Sequence, residues 1–431
     1  MECDLKNPAT RWTLLCGVLF LAVSFGYPAG KAGLADHWSR TADPELWRKA
    51  AELEPGNENY WIRLGVYDQE NLLHADELRA LQEFQRAAKV NPRSAEAWLR
   101  IAQARENLGD TEGARGAYDK AQACYPISAR VAWRYGSFQI RRNQMVLALE
   151  QMRRAIRGDP SLTLSAISQS WQAGAGAGAL LDRLMEPRPA AYFTLLDFFL
   201  AQRETGAALT VWDRLVKLGL PFPMRQSLPL VDELIREDQT SEAQHAWRAA
   251  LQTSAWPVRT DAGTGLIFNG GFEQEILNGG FDWREAPVSG AQFARETGTA
   301  HSGRNSLRVT FDGSANPDFA QVQQYVPAEP SRRYRLSAFL RTEAISTESG
   351  MGLEVEDARD PRTLNRFTET LTGSHPWTLV EVKFETGPRT HLLLISLRRK
   401  PANKLDNKLS GTVWLDDVSL EPAESGRGAQ P

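Results

Sequence analysis

A four-residue pattern that recurs every 34 positions limits most strongly what this chain can fold into. Ala80, Phe84, Ala87 and Pro92 return as Ala114, Tyr118, Ala121 and Pro126, and again as Ala148, Met152, Ala155 and Pro160. Each set keeps the spacing A-x3-large apolar-x2-A-x4-P. A period of this size predicts stacked supersecondary units, each burying its apolar face on its neighbour. Alanine suits a close crossing of two antiparallel helices. The large residue one turn later fills the gap to the next unit. Proline, lacking an N–H and disfavouring helical geometry before it, ends the helix. A first helix in each unit is marked by Trp61, Leu64 and Gly65, by Trp98, Ile101 and Ala102 at the same offsets, and by Gly136 at the third small position.

These residues resemble the tetratricopeptide repeat (TPR) family over residues 42–160. Trp47, Ala50 and Pro55 mark an incomplete leading repeat, and three extra residues separate Trp61 from Ala80, a longer loop near Leu72 to Asp76. Residues 173–179 read AGAGAGA, costly inside a helix and expected to form a flexible joint or a tight helix contact. Ala208, Trp212 and Leu215 then recur as Ala243, Trp247 and Ala250, so residues 161–256 read as divergent helical repeats. The resemblance implies a concave groove for a protein partner. By offset from the motif, Gln103, Glu106, Trp133 and Arg141 would line it, although each also suits core or solvated surface.

Residues 12–30, after a short tail of residues 1–11, carry no charge. As a helix they span roughly 28 Å, the hydrocarbon thickness of a bilayer. Lys6 and Arg11 precede the stretch and Lys31, Arg40 and Arg48 follow it, so charge does not orient it. A single-pass signal anchor is the reading taken here. A cleaved signal peptide competes with it, because Gly33, Leu34 and Ala35 offer a small-x-small site. A lipoprotein fits poorly, since Thr13, Leu14 and Leu15 before Cys16 lack the small residue of such sites. In both favoured readings the bulk of the chain lies outside the cytoplasm, in a periplasmic or extracytoplasmic position.

After a linker at residues 257–264 the period changes to two. Tyr334, Leu336, Ala338 and Leu340 alternate with Arg333, Arg335, Ser337 and Phe339; Val380, Val382 and Phe384, and His391, Leu393, Ile395 and Leu397, behave likewise. Such runs between Gly, Pro, Asn and Asp clusters predict an all-β sandwich over residues 265–423, followed by a disordered tail at residues 424–431. The domain opens on Asn269, Gly270, Gly271, Phe272 and Glu273. It passes through His301, Ser302 and Gly303 and through Pro376 and Trp377, and closes on Trp414, Leu415, Asp416, Asp417 and Val418. Order and spacing resemble the jelly-roll carbohydrate-binding modules. The resemblance implies a polysaccharide ligand and a structural calcium held by Glu273 and Asp416, with Asp417 beside them. Strand capping through loop N–H groups is the alternative for both carboxylates. Sugar binding needs aromatic platforms with polar groups around them. Tyr325 with Gln321, Gln323 and Gln324, together with Phe319, Phe367 and Trp377, are the candidates, each of which also suits core packing.

The whole is thus a multidomain α and β chain: an N-terminal transmembrane helix, an all-α TPR-like solenoid and a C-terminal all-β jelly-roll sandwich. A length of 431 residues suits two or three domains. The net charge of -3 gives no basic footprint for nucleic acid. Cys3, Cys16 and Cys124 leave one cysteine in the globular part, so no disulfide within a domain is expected. Glu354 and Glu356 alternate onto one strand face, a pairing that glycosidases use. The jelly-roll glucanase pattern E-x-D-x-x-E fails, however, at Glu356 and Arg359. The expectation is a membrane-anchored, non-enzymatic scaffold of the cell envelope that needs no cofactor beyond calcium. A purely protein-binding scaffold is the alternative, and a glycosidase-like enzyme comes third.

Overall fold

The computed structural model describes residues 8–71, 75–254, 256, 265–405 and 407–423. The expected linker at 257–264, the expected tail at 424–431 and most of the extra-residue loop (Leu72, Leu73, His74) lie outside the described residues. The chain divides into two compact units, Met1–Met185 and Glu186–Pro431.

The first unit is helical. α1 (Pro8–Ser39) is followed by α2 (Pro44–Leu53), α3 (Glu58–Glu70), α4 (Glu77–Val90), α5 (Ala95–Asn107), α6 (Thr111–Cys124), α7 (Ala129–Arg141), α8 (Met145–Gly158), α9 (Thr163–Gln172) and the single turn α10 (Ala177–Ala179). Trp12, Phe20 and Phe25 of α1 are exposed, as an apolar helix without a protein partner requires. The end of the same helix behaves differently: Ala35 is fully buried, and Trp38 packs on the solenoid core.

All nine repeat positions carrying alanine or a large apolar residue are buried: Ala80, Phe84 and Ala87; Ala114, Tyr118 and Ala121; Ala148, Met152 and Ala155. The small first-helix positions face the large second-helix ones. A Cβ on Gly65 would lie 2.5 Å from the Phe84 ring, and one on Gly136 would lie 3.1 Å from Met152. The tryptophans form a repeating device. Trp47, Trp61 and Trp98 donate their indole N–H to the carbonyl six residues earlier, on Thr41, Pro55 and Pro92. A cation covers each ring: Arg63, Arg86 and Lys120 respectively. Each tryptophan thereby ties the turn before its helix to the next helix of the stack.

Ser94, Asp110 and Ser128 cap α5, α6 and α7, each accepting the backbone N–H three residues on. At residues 173–179 the close-contact reading is corrected. A Cβ on Gly174, Gly176 or Gly178 would meet nothing within 4 Å. Gly174 adopts φ +91, which ends α9 and explains the glycine there.

In the second unit, α11 (Pro189–Ala201), α12 (Thr205–Lys217), α13 (Leu228–Arg236) and α14 (Thr240–Thr253) precede ten strands among the described residues. β1 (Arg284–Glu285), β4 (Phe319–Pro327), β9 (Leu392–Arg399), β6 (Gly352–Asp357) and β7 (Asn365–Phe367) form one antiparallel sheet in that spatial order. β2 (Ala291–Thr297), β3 (Asn305–Asp312), β10 (Ser410–Pro422), β5 (Arg333–Ile345) and β8 (Gly373–Glu385) form the other. Tyr334, Leu336, Ala338 and Leu340 point into the core between the sheets, as do Leu393, Ile395 and Leu397. His391, expected on the same face as these leucines, is exposed because β9 begins one residue after it.

The helices dock on the sandwich along one stripe of α13, at Leu228, Asp232 and Ile235. A Cβ on Gly279 would lie 3.3 Å from Leu228. Asp232 accepts the Gly280 N–H at 2.7 Å. The Arg359 guanidinium donates to the Ile235 and Arg236 carbonyls and pairs with Asp238 at 2.9 Å, capping the helix C-terminus from another element. From α14, Trp247 meets Phe268 and Phe281 edge-on.

Candidate functional site

Strand alternation sends Gln323 of β4, Leu394, Ser396 and Arg398 of β9, and Glu354 and Glu356 of β6 to the outer face of the first sheet. Their inward neighbours Val322, Ile395, Leu397, Leu353 and Val355 fill the core. With Asn365 and Phe367 of β7 at the far edge, these outward groups line a cleft of about 560 Å³. The order β4-β9-β6-β7 brings together residues that lie up to about eighty positions apart in the chain.

Charge organises the cleft. Arg398 pairs with Glu354 at 2.8 Å and with Asp318. Asn365 Nδ2 donates to Glu354 at 2.8 Å and to Glu356 at 3.3 Å. Burial, and then the neighbouring charge of Glu354, push the Glu356 carboxyl above its ordinary range. Lys400 sits 4.0 Å over the Phe367 ring. Hydrogen-bonding groups around one aromatic face are what a sugar-binding surface requires.

The sequence candidates fare unequally. Gln323 and Phe367 lie in the cleft. Tyr325 is on the same face of β4, half-buried, with Arg284 stacked 4.8 Å over its ring. Gln324 points inward and exchanges two hydrogen bonds with the Phe268 backbone. Phe319 is fully buried. An irregularity in the β4–β9 register between Phe319 and Val322 turns both inward despite their three-residue spacing, so alternation misplaces Phe319 as a surface residue. Trp377 lies on β8 in the other sheet, where it meets His301 edge-on, and is not brought to the cleft. Sequence reasoning missed Asp318, Asn365, Arg398 and Lys400, and it set the Glu354 and Glu356 pair aside because the glucanase pattern fails. Extending the β9 alternation beyond Leu397 would have placed Arg398 outward.

Glu273, in the segment before β1, and Asp416, on β10, lie against the opposite sheet. β10 bulges between Asp416 and Ser419, with Asp417 at φ +49, and this turns two consecutive carboxylates toward the 301–305 loop. Asp416 accepts the His301, Ser302 and Asp417 N–H groups at 2.7, 3.2 and 2.7 Å. Glu273 accepts the Arg304 and Asn305 N–H groups at 2.6 and 2.9 Å, and Asn305 Nδ2 at 3.1 Å. Burial and the charge of Asp417 push Asp416 up to about 6. Calcium takes six to eight oxygen ligands. Among the described residues no group of three or more His, Cys, Asp or Glu side chains is arranged to hold a metal, and these N–H bonds occupy lone pairs that a cation would use. Through these bonds the two carboxylates latch the loop at 301–305.

In the solenoid, Arg141 makes a bidentate pair with Glu106 at 2.7 and 2.8 Å, joining α7 to α5. The Tyr118 hydroxyl donates to the same carboxylate at 3.4 Å. Gln103 and Trp133 are half-buried. Two of the four proposed groove residues thus satisfy one another.

Residues 78–128 match the family model described as Tetratricopeptide repeat. A solved structure of Pseudomonas aeruginosa PilF is similar over 44% of this chain and 88% of that chain, at 20% identity and a TM-score of 0.24. A family 4 carbohydrate-binding module is similar over 36% of this chain and 99% of that chain, at 18% identity and a TM-score of 0.28. YrrB, a TPR protein, is similar over 49% of this chain and 93% of that chain, at 13% identity and a TM-score of 0.26. No curated protein matches the chain.

Proposed function

We propose that this chain, which joins tetratricopeptide repeats to a carbohydrate-binding-module-like sandwich, is a membrane-anchored, non-enzymatic scaffold of the cell envelope. Its repeats engage a protein partner, and the outer cleft of the β1-β4-β9-β6-β7 sheet takes a polysaccharide. The observation that carries the reading is the cleft itself: Gln323, Glu356, Asn365 and Ser396 around the Phe367 ring. A glycan array probed with the full chain in detergent micelles tests it. Selective capture of one glycan class supports the reading. A folded chain that captures none leaves a scaffold whose work lies in the repeats.

The membrane part rests on α1. Its exposed apolar length suits a bilayer, and it runs unbroken into buried Ala35 and Ser39. Cleavage after Ala35 would remove a core residue of the first unit. The expected outcome is an uncleaved anchor, so intact-mass analysis of the membrane-extracted protein should recover residues 12–35. A mature N-terminus at Asp36 would contradict this.

The calcium expected at Glu273 and Asp416 is separable from the rest. Because both carboxylates already accept N–H donors, melting curves in excess calcium and in chelator are expected to coincide. A calcium-dependent rise that disappears in Glu273→Gln would establish the ion instead.

A further inference from the structure

At one end of the strands that carry the outer-face cleft, α13 is tied to the sheet without lining the cleft. Tyr325 of β4 pairs with Leu394 of β9, and Asp357 of β6 pairs with Leu393, so the two lie at the same strand end. α13 reaches that end twice. Asp232 bonds Arg284 of β1 at 2.5 Å, and one turn later the Ile235 and Arg236 carbonyls accept from Arg359, just after β6. The helix is therefore tied to the sheet at two places, at β1 through Arg284 and at the loop after β6 through Arg359.

Arg284 is the connecting group. It is directly opposite Gln323, which lines the cleft, and its guanidinium lies over the Tyr325 ring. Its Nη2 bonds Asp232, while Nη1 is buried without a hydrogen-bond partner. Burying a guanidinium costs free energy that a paired carboxylate offsets. Asp232 supplies that carboxylate, and its Oδ1 is itself fixed by the Gly280 N–H.

We infer that Asp232, a residue of the helical segment, is a positioning residue for the cleft: it fixes Arg284 over Tyr325 and opposite Gln323, and so sets the strand end where the cleft's lining stops. Tyr325 is then a fixed wall and not an open stacking platform, whereas the cation over Phe367 is the exposed Lys400, which a sugar ring would displace or leave on the far face. The helices are part of the binding device, so a sandwich cut away from them would present a different groove. This inference rests on the polysaccharide reading for its purpose but not for its geometry.

The test uses the full chain with Asp232→Asn and, as the conservative variant, Asp232→Glu. Hydroxyl-radical footprinting reads Tyr325 without any ligand. Asp232→Asn is expected to raise Tyr325 oxidation about threefold by opening its ring face locally, and Asp232→Glu to restore protection. Calorimetric titration with cellohexaose and xylohexaose is run in parallel. Whichever binds the wild type is expected to bind Asp232→Asn about tenfold more weakly. Because Asp232 is 42% exposed, loss of folding is not expected, and a melting curve checks it. Unchanged Tyr325 oxidation overturns the inference whatever the sugars do. Changed oxidation with no hexasaccharide bound by either chain upholds the inference and counts against the polysaccharide reading alone.

Discussion

Gly280→Ala is expected to lower the melting temperature of the second unit by roughly 5–10 °C. Gly280 has φ +59, a conformation that costs a non-glycine residue about 1 kcal/mol. An alanine Cβ there would lie 2.3 Å from Trp247 Cζ3 and 2.7 Å from Cε3. Trp247 has little room to yield, because Phe268 and Phe281 hold it edge-on at 5.2 and 6.0 Å. Overpacking of this kind adds about 1–3 kcal/mol. The same turn donates the Gly280 N–H to Asp232, so the substitution also strains the helix–sandwich joint. Thermal melts of the full chain followed by circular dichroism provide the check. Trp247→Leu should rescue part of the loss, since it removes the ring that collides. A melt unchanged in Gly280→Ala would mean that the helices do not press on the sandwich at this turn.

Arg399→Ala is expected to cost about 3–5 kcal/mol. Its side chain is 1% exposed and is among the largest fully buried ones. Nη1 donates to Asn316 Oδ1 at 2.7 Å and to the Pro317 carbonyl at 2.8 Å, while Nη2 reaches Thr347 Oγ1 at 3.1 Å. One guanidinium thus pins two loops at the β4 start and after β5. Truncation removes these donors from partly buried acceptors, of which Asn316 Oδ1 keeps only the Ala402 N–H at 3.0 Å. Desolvation holds the Arg399 pKa below its ordinary value, and the nearby charge of Asp318 works against that shift. Denaturant unfolding measures the loss, and Arg399→Lys, which keeps the charge without the fork, should recover only part of it. An effect below about 1 kcal/mol would show that surrounding water replaces the lost donors.

These two residues also mark where sequence reasoning stops. The solenoid was legible because each repeat position carries a residue type that only close helix packing explains, and Ala80, Tyr118 and Met152 all lie where the spacing places them. The sandwich core was legible from period-two runs such as Tyr334 to Leu340. The cleft was not, for three physical reasons. Its residues are outward-facing and polar, so no apolar period records them. Their meeting depends on the order β4-β9-β6-β7, which local pattern does not encode. The irregularity before Val322 reverses the parity of β4, which buries Phe319 and leaves Gln323 outside. Arg398 faces the cleft and Arg399 is buried, a difference that only the alternation continued from Leu393 to Leu397 separates.

The docking of α13 was equally invisible. Leu228, Asp232 and Ile235 form an ordinary helical stripe that fits a further solenoid repeat, and nothing in the sequence distinguishes a sheet from another helix as its partner. Asp282 belongs to the same joint. Fully buried, it accepts the Leu277 and Trp283 N–H groups at 2.7 and 2.8 Å, and burial pushes its carboxyl up to about 7. The second glycine-rich turn, Asn278 to Trp283, thus serves as the surface on which the helices rest.

The central claim is that the outer-face cleft binds a polysaccharide, and calorimetric titration of the full chain against a Gln323→Ala/Phe367→Ala double variant tests it most directly. The glycan would be the class that the array selects. The account predicts saturable binding by the wild type and binding at least about tenfold weaker by the variant at an unchanged melting temperature, since both positions are partly exposed and neither belongs to the core. Equal binding by the two chains would place the sugar elsewhere on the molecule, and no binding by a folded wild type would contradict the claim outright.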